Sequence, residues 1–99
     1  MENGYEILWT DLALEELDET VKYFEREFSQ NEIDNLGNEI ERIISIISHN
    51  PTIFPFSDKL KTRKVVILKF NTLYYRIIKE KIEIISFFSN RQSPETRKI

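Results

Sequence analysis

Residues 63–91 contain three apolar runs that are rich in β-branched and aromatic side chains. Two short polar breaks separate them, at Asn71-Thr72 and at Glu80-Lys81. This pattern is typical of a three-stranded antiparallel meander. Because neighbouring side chains point to opposite faces of a strand, the position of each turn decides which residues meet the core.

A two-residue turn at each break predicts the register. Phe70 is then opposite Leu73, and Lys79 is opposite Ile82. The face predicted to meet the core comprises Val66, Leu68, Phe70, Leu73, Tyr75, Ile77, Ile82, Ile84 and Phe88. The other face comprises Arg63, Val65, Ile67, Lys69, Tyr74, Arg76, Ile78, Glu83, Ile85, Phe87 and Arg91. A one-residue slip in a turn would exchange part of the two sets.

The second of these faces combines cations with aromatic side chains. Two interpretations stay open from the pattern alone, an ordinary solvated sheet face and a surface that binds a target. On the second interpretation, the candidate target-binding residues are Arg63, Lys69, Tyr74, Arg76 and Arg91.

The first part of the chain predicts a strand and then a helix. In residues 5–9 the side chains of Tyr5, Ile7 and Trp9 alternate with those of Glu6 and Leu8, which favours a strand that ends in Trp9. Thr10 or Asp11 can cap the helix predicted over residues 11–28. Its apolar stripe has spacings of three and four residues and comprises Leu14, Leu17, Val21, Phe24 and Phe28.

A second helix is expected directly after the first. Ser29 and Glu32 have the spacing of a capping box, and Asn50-Pro51 ends the helical pattern. The predicted apolar stripe of this helix comprises Ile33, Leu36, Ile40, Ile43, Ile44 and Ile47. Residues 50–62 are predicted to be a loop, in which Phe54 and Phe56 fill the seam between helices and sheet.

The order of these elements predicts one α+β domain over residues 1–99. An opening strand and an antiparallel helix hairpin precede the meander, and the helices cover one sheet face while the other stays free. The tail after Pro94 is short and charged.

The residue inventory excludes several kinds of chemistry. The chain has no Cys and one His, which excludes thiol–histidine catalysis and zinc sites built from thiolates. With two Gly it cannot form a glycine-rich phosphate loop, and we expect no cofactor and no metal. His49, at the predicted end of the second helix, suits the helix dipole better than a catalytic role. No apolar run could span a bilayer and no signal peptide is visible, so the expected location is the cytoplasm, with no membrane partner.

Charge is divided unevenly along the chain. Residues 1–57 hold three basic residues against 13 acidic ones, a net charge of −10, whereas residues 58–99 hold 11 basic residues against four acidic ones, a net charge of +7. Such asymmetry indicates a charged partner for one half, although the two halves could also complement each other within the molecule.

Four features of the sequence resemble the RelE/ParE toxin superfamily, also called plasmid stabilisation proteins. They are an opening strand that ends in Trp9, a helix hairpin with a Pro-containing loop after it, the run Leu73-Tyr74-Tyr75-Arg76-Ile77, and the run from Ile84 to Pro94 that includes Arg91. The resemblance spans residues 5–95.

This resemblance implies a small bacterial toxin of a type II toxin–antitoxin system, neutralised by a cognate antitoxin. Two branches differ in their target. RelE-like members cut messenger RNA on the ribosome, whereas ParE-like members act on DNA gyrase. Arg91 matches the strand-end arginine that the ribonuclease branch uses at its transition state and is the one candidate catalytic residue. A disordered antitoxin segment gains affinity by burying apolar surface, so we expect it to dock along the first helix at Leu14, Leu17, Val21 and Phe24 and to reach the basic sheet face.

The sequence favours the ParE-like branch. No Tyr follows Tyr75 and no His follows His49, so the C-terminal proton-transfer residue usual in the ribonuclease branch is missing. A pI near 5.2 also suits a ribosome-binding nuclease poorly, because neutralising RNA phosphates supplies most of the affinity of such a protein. The expected function is therefore growth inhibition through gyrase. The alternatives are a ribosome-dependent mRNA endoribonuclease and a non-toxic binding module.

Overall fold

The computed structural model describes residues 4–89. Its elements in chain order are β1 (Glu6–Trp9), α1 (Asp11–Glu27), α2 (Gln30–His49), β2 (Phe56–Ser57), β3 (Thr62–Ile67), β4 (Asn71–Ile78) and β5 (Lys81–Ser89). The strands form one sheet in the order β1-β5-β4-β3-β2. Both helices pack on one face of this sheet, and the predicted α+β architecture is confirmed.

Thr10 connects the start of α1 to the last strand. Its hydroxyl oxygen accepts a hydrogen bond from the Ala13 N–H at 3.2 Å, which satisfies one free donor of the first helical turn. The same hydroxyl donates to the Ile84 carbonyl oxygen at 2.9 Å. The predicted cap is therefore confirmed. Its bond to Ile84 also fixes the point at which the chain leaves the sheet and α1 begins.

The second helix follows with only Phe28 and Ser29 between the two. The Ser29 hydroxyl donates to the Glu32 carboxylate, while the Glu32 N–H bonds to the Ser29 carbonyl oxygen at 3.1 Å. In a capping box that N–H would bond to the Ser29 hydroxyl oxygen; this prediction is wrong, since the N–H bonds to the Ser29 carbonyl oxygen and the hydroxyl donates to the carboxylate. The predicted stripe of α2 is confirmed by the buried residues Leu36, Ile43 and Ile47.

The opening strand lies at one edge of the sheet, beside the last strand. β1 pairs with β5 in parallel, with Ile7 opposite Ile82 and Trp9 opposite Ile84. The hairpin-connected strands β3, β4 and β5 form the predicted antiparallel meander.

The turn between β3 and β4 differs from the prediction. Ile67 lies opposite Asn71, so the turn is formed by the three residues 68–70, and Val66 lies opposite Thr72 instead of Ile77. The displacement is an odd number of residues, which moves every side chain of β3 to the other face. Val65 and Ile67 are therefore buried and Val66 is 55% exposed, the reverse of the predicted placement.

Asn71 explains why this turn comes early. Its side-chain Nδ2 donates to the Ile67 carbonyl oxygen at 3.1 Å, and the residue is fully buried at the start of β4. Asparagine is typical of turns, but Asn71 is the first residue of β4, and its side chain stabilises the preceding turn. The turn itself places Leu68 and Lys69 in left-handed backbone conformations, with φ of 53° and 72°.

The second turn is formed by Lys79 and Glu80, one residue earlier than predicted, which shifts the register by two residues, so that Ile77 lies opposite Ile82 instead of Ile84. Ile82 and Ile84 consequently keep their predicted core positions. Tyr75 pairs with Ile84 but Tyr74 pairs with Ser86, so Ile85 is an extra residue in a β-bulge.

The bulge reverses the side chains that follow it in β5. Phe87 is fully buried and Phe88 is exposed, which corrects the prediction for this pair.

A two-residue strand lies within the predicted loop. β2 pairs with the beginning of β3, with Phe56 opposite Arg63. Phe54 packs against the core as predicted, whereas Phe56 is 49% exposed and its predicted place in the seam is wrong.

Candidate functional site

Within residues 4–89, no element covers the sheet face turned away from the helices, here called the outer face. Its exposed residues are Lys64, Val66, Arg76, Ile78 and Phe88, and its partly buried residues include Tyr74, Glu83 and Ile85. Cations and apolar side chains alternate across it. A surface of this composition can contact a partner through both hydrophobic burial and charge.

Arg76 and Glu83 form an ion pair at the centre of this face. They lie directly opposite each other on β4 and β5, and the Arg76 Nε is 2.7 Å from the Glu83 Oε1. Both side chains are partly exposed, so the pair contributes about 0–1 kcal/mol to stability.

Tyr74 lies in a shallow groove beside the ion pair. The groove has a volume of about 310 Å³ and is lined by Leu60, Thr62, Tyr74, Ile85 and Ser86. The lining is mostly apolar, and it includes Ile85, the extra residue of the bulge. The position directly across β3 from Tyr74 is occupied by Lys64.

Arg63 lies on the helix side of β3, not on the outer face. Its Nη1 donates to the Phe54 carbonyl oxygen at 2.8 Å, and its guanidinium lies 5.3 Å from the centre of the Phe56 ring. Beside it, the buried Tyr75 hydroxyl donates to the Pro51 carbonyl oxygen at 2.7 Å. Arg63 and Tyr75 thus hold the segment between α2 and β3 against the sheet.

Among the described residues, the candidate Lys69 does not meet Arg76 and Tyr74. Lys69 lies in the turn at the opposite end of β3 from Arg63. Arg91 lies outside the described residues.

The predicted antitoxin-binding stripe on α1 divides between surface and core. Leu14 is 48% exposed and Leu17 and Val21 are partly buried, but Phe24 is only 3% exposed. The Phe24 ring packs 4.9 Å from the ring of Phe28 in the helix hairpin. Leu14 is therefore the member of the stripe best placed to meet a partner.

Glu16 is a site residue that the sequence did not indicate. Its Oε1 accepts hydrogen bonds from the Ser86 hydroxyl and from the Phe87 N–H, each at 2.8 Å. In sequence it belongs to a run of acidic helix residues that looks solvated. Its spacing from Ala13 and Thr20, which are buried, is the one signal that places it on the sheet side of α1.

Neither a metal site nor a membrane span is found in the described part of the chain. Within residues 4–89, no group of three or more acidic or histidine side chains is placed to hold a metal ion. No helix in that range is long and apolar enough to cross a bilayer. The His49 Nδ1 lies 2.9 Å from the Ser45 carbonyl oxygen at the end of α2.

Comparison with solved structures shows that this architecture also occurs in a protein of known structure. No protein-family model matches the sequence, and no curated protein matches it. A solved structure described as the chromosomal ParDE TA system from P. aeruginosa superposes with a TM-score of 0.71 at 14% identity. The match covers 86% of this chain and 95% of that one. The RelE/ParE-like fold expected from the sequence is therefore confirmed, and this chain has the fold found in that ParDE system.

Proposed function

We propose that this protein is the toxin of a type II toxin–antitoxin system, that it inhibits growth by acting on DNA gyrase, and that a cognate antitoxin neutralises it. The likeness of fold to the ParDE structure, which extends over 95% of the matched chain, is the observation that carries the proposal. The outer face exposes the apolar side chains of Val66 and Phe88 as well as the cation Arg76, and this mixture supports a protein partner.

The positions of the acid–base groups support gyrase over messenger RNA as the target. The hydroxyl of Tyr75 is buried against the Pro51 carbonyl oxygen, and His49 lies at the end of α2. The guanidinium of Arg76 is engaged by Glu83. A ribonuclease needs such groups at the surface where the scissile phosphate binds.

One observation favours the ribonuclease as a second candidate. Tyr74 lies on the outer face directly opposite Lys64, which places a phenol beside a cation. That pair could hold a phosphate and move a proton, so the two mechanisms need a direct test.

Expression without a partner tests the toxin function. Induction in a bacterial host should arrest growth, and co-expression of the neighbouring gene, if it encodes an antitoxin, should restore it. Normal growth at confirmed folded expression would contradict the proposal.

A pair of assays on purified protein separates the two targets. A gyrase inhibitor should alter supercoiling or trap the cleavage complex and leave messenger RNA intact in a translating extract. Cuts at codon positions with gyrase unaffected would establish the ribonuclease instead.

Arg91 is the residue we expect to contact the target. Its guanidinium can hold a carboxylate or phosphate through two parallel hydrogen bonds, which Lys cannot reproduce. Arg91→Ala should change the free energy of unfolding by less than about 1 kcal/mol but strongly reduce toxicity, and Arg91→Lys should restore little.

The matched control for that experiment is Arg42→Ala, which removes an exposed arginine from α2. It should leave toxicity intact. An Arg91→Ala protein that unfolds would make Arg91 structural, and one that stays fully toxic would remove it from the target contact.

A further inference from the structure

The strand β1 forms one edge of the sheet. It pairs in parallel with β5 on one side, and no strand within residues 4–89 pairs with it on the other. The N–H groups of Glu6 and Thr10 donate to carbonyl oxygens on the β5 side, at 3.4 and 3.1 Å. Because the backbone groups of successive residues point to opposite sides of a strand, those of Ile7 and Trp9 point away from β5.

Other elements close this edge at both ends. Directly before β1, the Tyr5 N–H donates to the Ser48 carbonyl oxygen at 2.8 Å, and the Ser48 hydroxyl donates to the Tyr5 carbonyl oxygen at 3.1 Å. The end of α2 thus satisfies the outward groups of Tyr5. After Trp9 the chain turns into α1. The open edge is therefore limited to residues 7–9, where the backbone groups of Ile7 and Trp9 have no hydrogen-bond partner within residues 4–89.

The middle residue of this open edge is apolar and exposed. Leu8 lies opposite Glu83 on β5 and shares the outer face with it. Because Leu8 is 40% exposed, apolar surface adjoins the unpaired backbone of β1. Edge strands are commonly protected by a charge or by being very short. The opposite edge of the sheet is protected in the second way, since β2 has two residues.

We propose that β1 pairs with β1 of a second copy of this chain, in antiparallel orientation around a two-fold axis at Leu8. In this register Ile7 of each copy lies opposite Trp9 of the other, and each such pair exchanges both of its backbone hydrogen bonds. Since the interface is isologous, the open backbone groups of both copies are satisfied together. The two Leu8 side chains meet on the outer face, and the two sheets form one continuous sheet.

The short length of the open edge favours a second copy over an unrelated peptide. An unfolded segment would lose conformational entropy on binding and would gain only the few backbone bonds that residues 7–9 offer. The second copy brings an edge that is already ordered. No like charges meet across the axis, because Glu6 of each copy lies opposite Thr10 of the other. Pairing at this edge requires neither gyrase nor an antitoxin, so it is independent of the proposed function.

A single introduced cysteine tests the register, because the chain contains no other cysteine. In an antiparallel pair of residues that exchange no hydrogen bonds, the Cα atoms are about 4.5 Å apart, which a disulfide can span. Leu8→Cys should therefore give a covalent dimer when the folded protein is treated with oxidised glutathione. Non-reducing electrophoresis measures the fraction that is cross-linked.

Glu6→Cys is the matched control, on the same strand and the same face. In the proposed register the two copies of residue 6 lie roughly 13 Å apart along the ladder, which a disulfide cannot span. This variant should therefore not form the covalent dimer under the same treatment. Equal cross-linking of the two variants, or none in either, would overturn the proposal.

Sedimentation equilibrium tests the association without a cross-link. The unmodified protein should show a reversible equilibrium between monomer and dimer. Leu8→Lys places like charges directly opposite each other and should shift this equilibrium to the monomer. Leu60→Lys changes an exposed leucine between β2 and β3 and should dimerise as the unmodified protein does. Circular dichroism confirms that both variants are folded.

Hydrogen exchange locates the contact within the dimer. The amides of Ile7 and Trp9 should exchange more slowly as the protein concentration rises. The amide of Glu6, which already donates on the β5 side, should not change. An unmodified protein that stays monomeric at every concentration, a Leu8→Lys variant that dimerises equally well, or a dimer without protection of these two amides would overturn the proposal.

Discussion

Glu16 completes the hydrogen bonding of β5 beyond the end of β1. The parallel pairing stops at Trp9, after which the Thr10 N–H and hydroxyl bond to the Ile84 carbonyl oxygen. About one and a half turns further along α1, the Glu16 carboxylate accepts a hydrogen bond from the Phe87 N–H. The Glu16 side chain thus satisfies a backbone donor of β5 that a further paired strand would otherwise satisfy.

Glu16→Ala should lower the free energy of unfolding by about 1–3 kcal/mol, because it leaves a backbone donor of β5 unsatisfied at a partly buried site. Glu16→Gln should cost less, since its amide oxygen can accept the same bonds without the charge. Urea denaturation measures both. Glu15→Ala, at an exposed neighbour, should stay within about 0.5 kcal/mol, and a loss equal to that of Glu16→Ala would show that the bonds contribute nothing.

Tyr75 makes stability depend on pH in the alkaline range. The residue is fully buried, and this burial raises the pKa of its hydroxyl above the ordinary 10.0. Below the unfolded pKa of about 10 both states hold the proton. Above it the unfolded state loses the proton first, so the unfolding free energy should fall as pH rises toward the folded pKa.

The Tyr75→Phe variant should lose this component of the alkaline decline. At neutral pH it should be less stable by about 0.5–1.5 kcal/mol, because the Pro51 carbonyl oxygen loses its donor. Denaturation curves at several pH values measure both effects. Tyr74→Phe keeps Tyr75 and should keep the decline, so identical pH profiles for the two variants would contradict this account.

At the scale of elements, the placement of side chains depends on the turns. Both helices could be derived from the sequence, because their apolar spacing and caps are local signals. The β4 residues Tyr74 and Arg76 were also placed correctly, because Leu73 and Tyr75 between them define the buried face. Which side chains of β3 are buried could not be derived from the sequence. A three-residue turn and a two-residue turn both fit it, and the two turns place opposite faces of β3 in the core.

The same dependence explains what was missed at the site. The predicted face of Arg63 was reversed together with that of β3. Phe56 and Lys61 meet Arg63 only because the chain between β2 and β3 turns at Lys61, which no glycine or proline announces. The contact of Glu16 with β5 depends on where the pairing of β1 with β5 ends. That pairing joins residues that are distant in sequence, so the periodicity of α1 does not indicate it.

The turn between β4 and β5 can be tested with a pair of lysine substitutions. Lys79 has a φ of 57° in this turn, whereas Lys81 begins β5. Valine is strained in the left-handed region, so Lys79→Val should lower the free energy of unfolding by about 1–2 kcal/mol.

Lys81→Val provides the comparison, because valine suits an exposed strand position and the change should stay within about 0.5 kcal/mol. Urea denaturation of both variants is sufficient. The reverse order of stabilities would support a turn at Glu80-Lys81, as the sequence first indicated.

At the scale of the whole molecule, the uneven distribution of charge along the sequence separates an acidic helix layer from a basic sheet layer. The acidic residues 1–57 contain β1, both helices and the two-residue strand β2, and the basic residues 58–99 contain β3, β4 and β5. Within residues 4–89, one ion pair joins the two halves, between the Lys81 Nζ and the Glu6 Oε1 at 3.8 Å. The helix layer and the sheet layer therefore present opposite electrostatic surfaces.

We expect the protein to bind a cation-exchange matrix at pH 7 and low salt despite its net charge of −3, because the sheet layer can face the matrix. Lys64→Gln, on the outer face, should elute at lower salt. Lys22→Gln, on α1 beside Asp18, serves as the control and should elute with the unmodified protein. Passage of the unmodified protein without retention would contradict an exposed basic layer.

The parallel pairing of β1 with β5 has a consequence for synthesis of the chain. Glu6 finds its strand partner at Lys81, so the first strand has nothing to pair with while most of the polypeptide is still being made. Contacts between residues so distant in sequence form late, because the loop between them must close first. The sheet can be completed only after the ribosome has released β5, and until then a nascent chain lacks the folded surfaces through which it would act. Any partner that binds the newly made protein has that interval in which to reach it first.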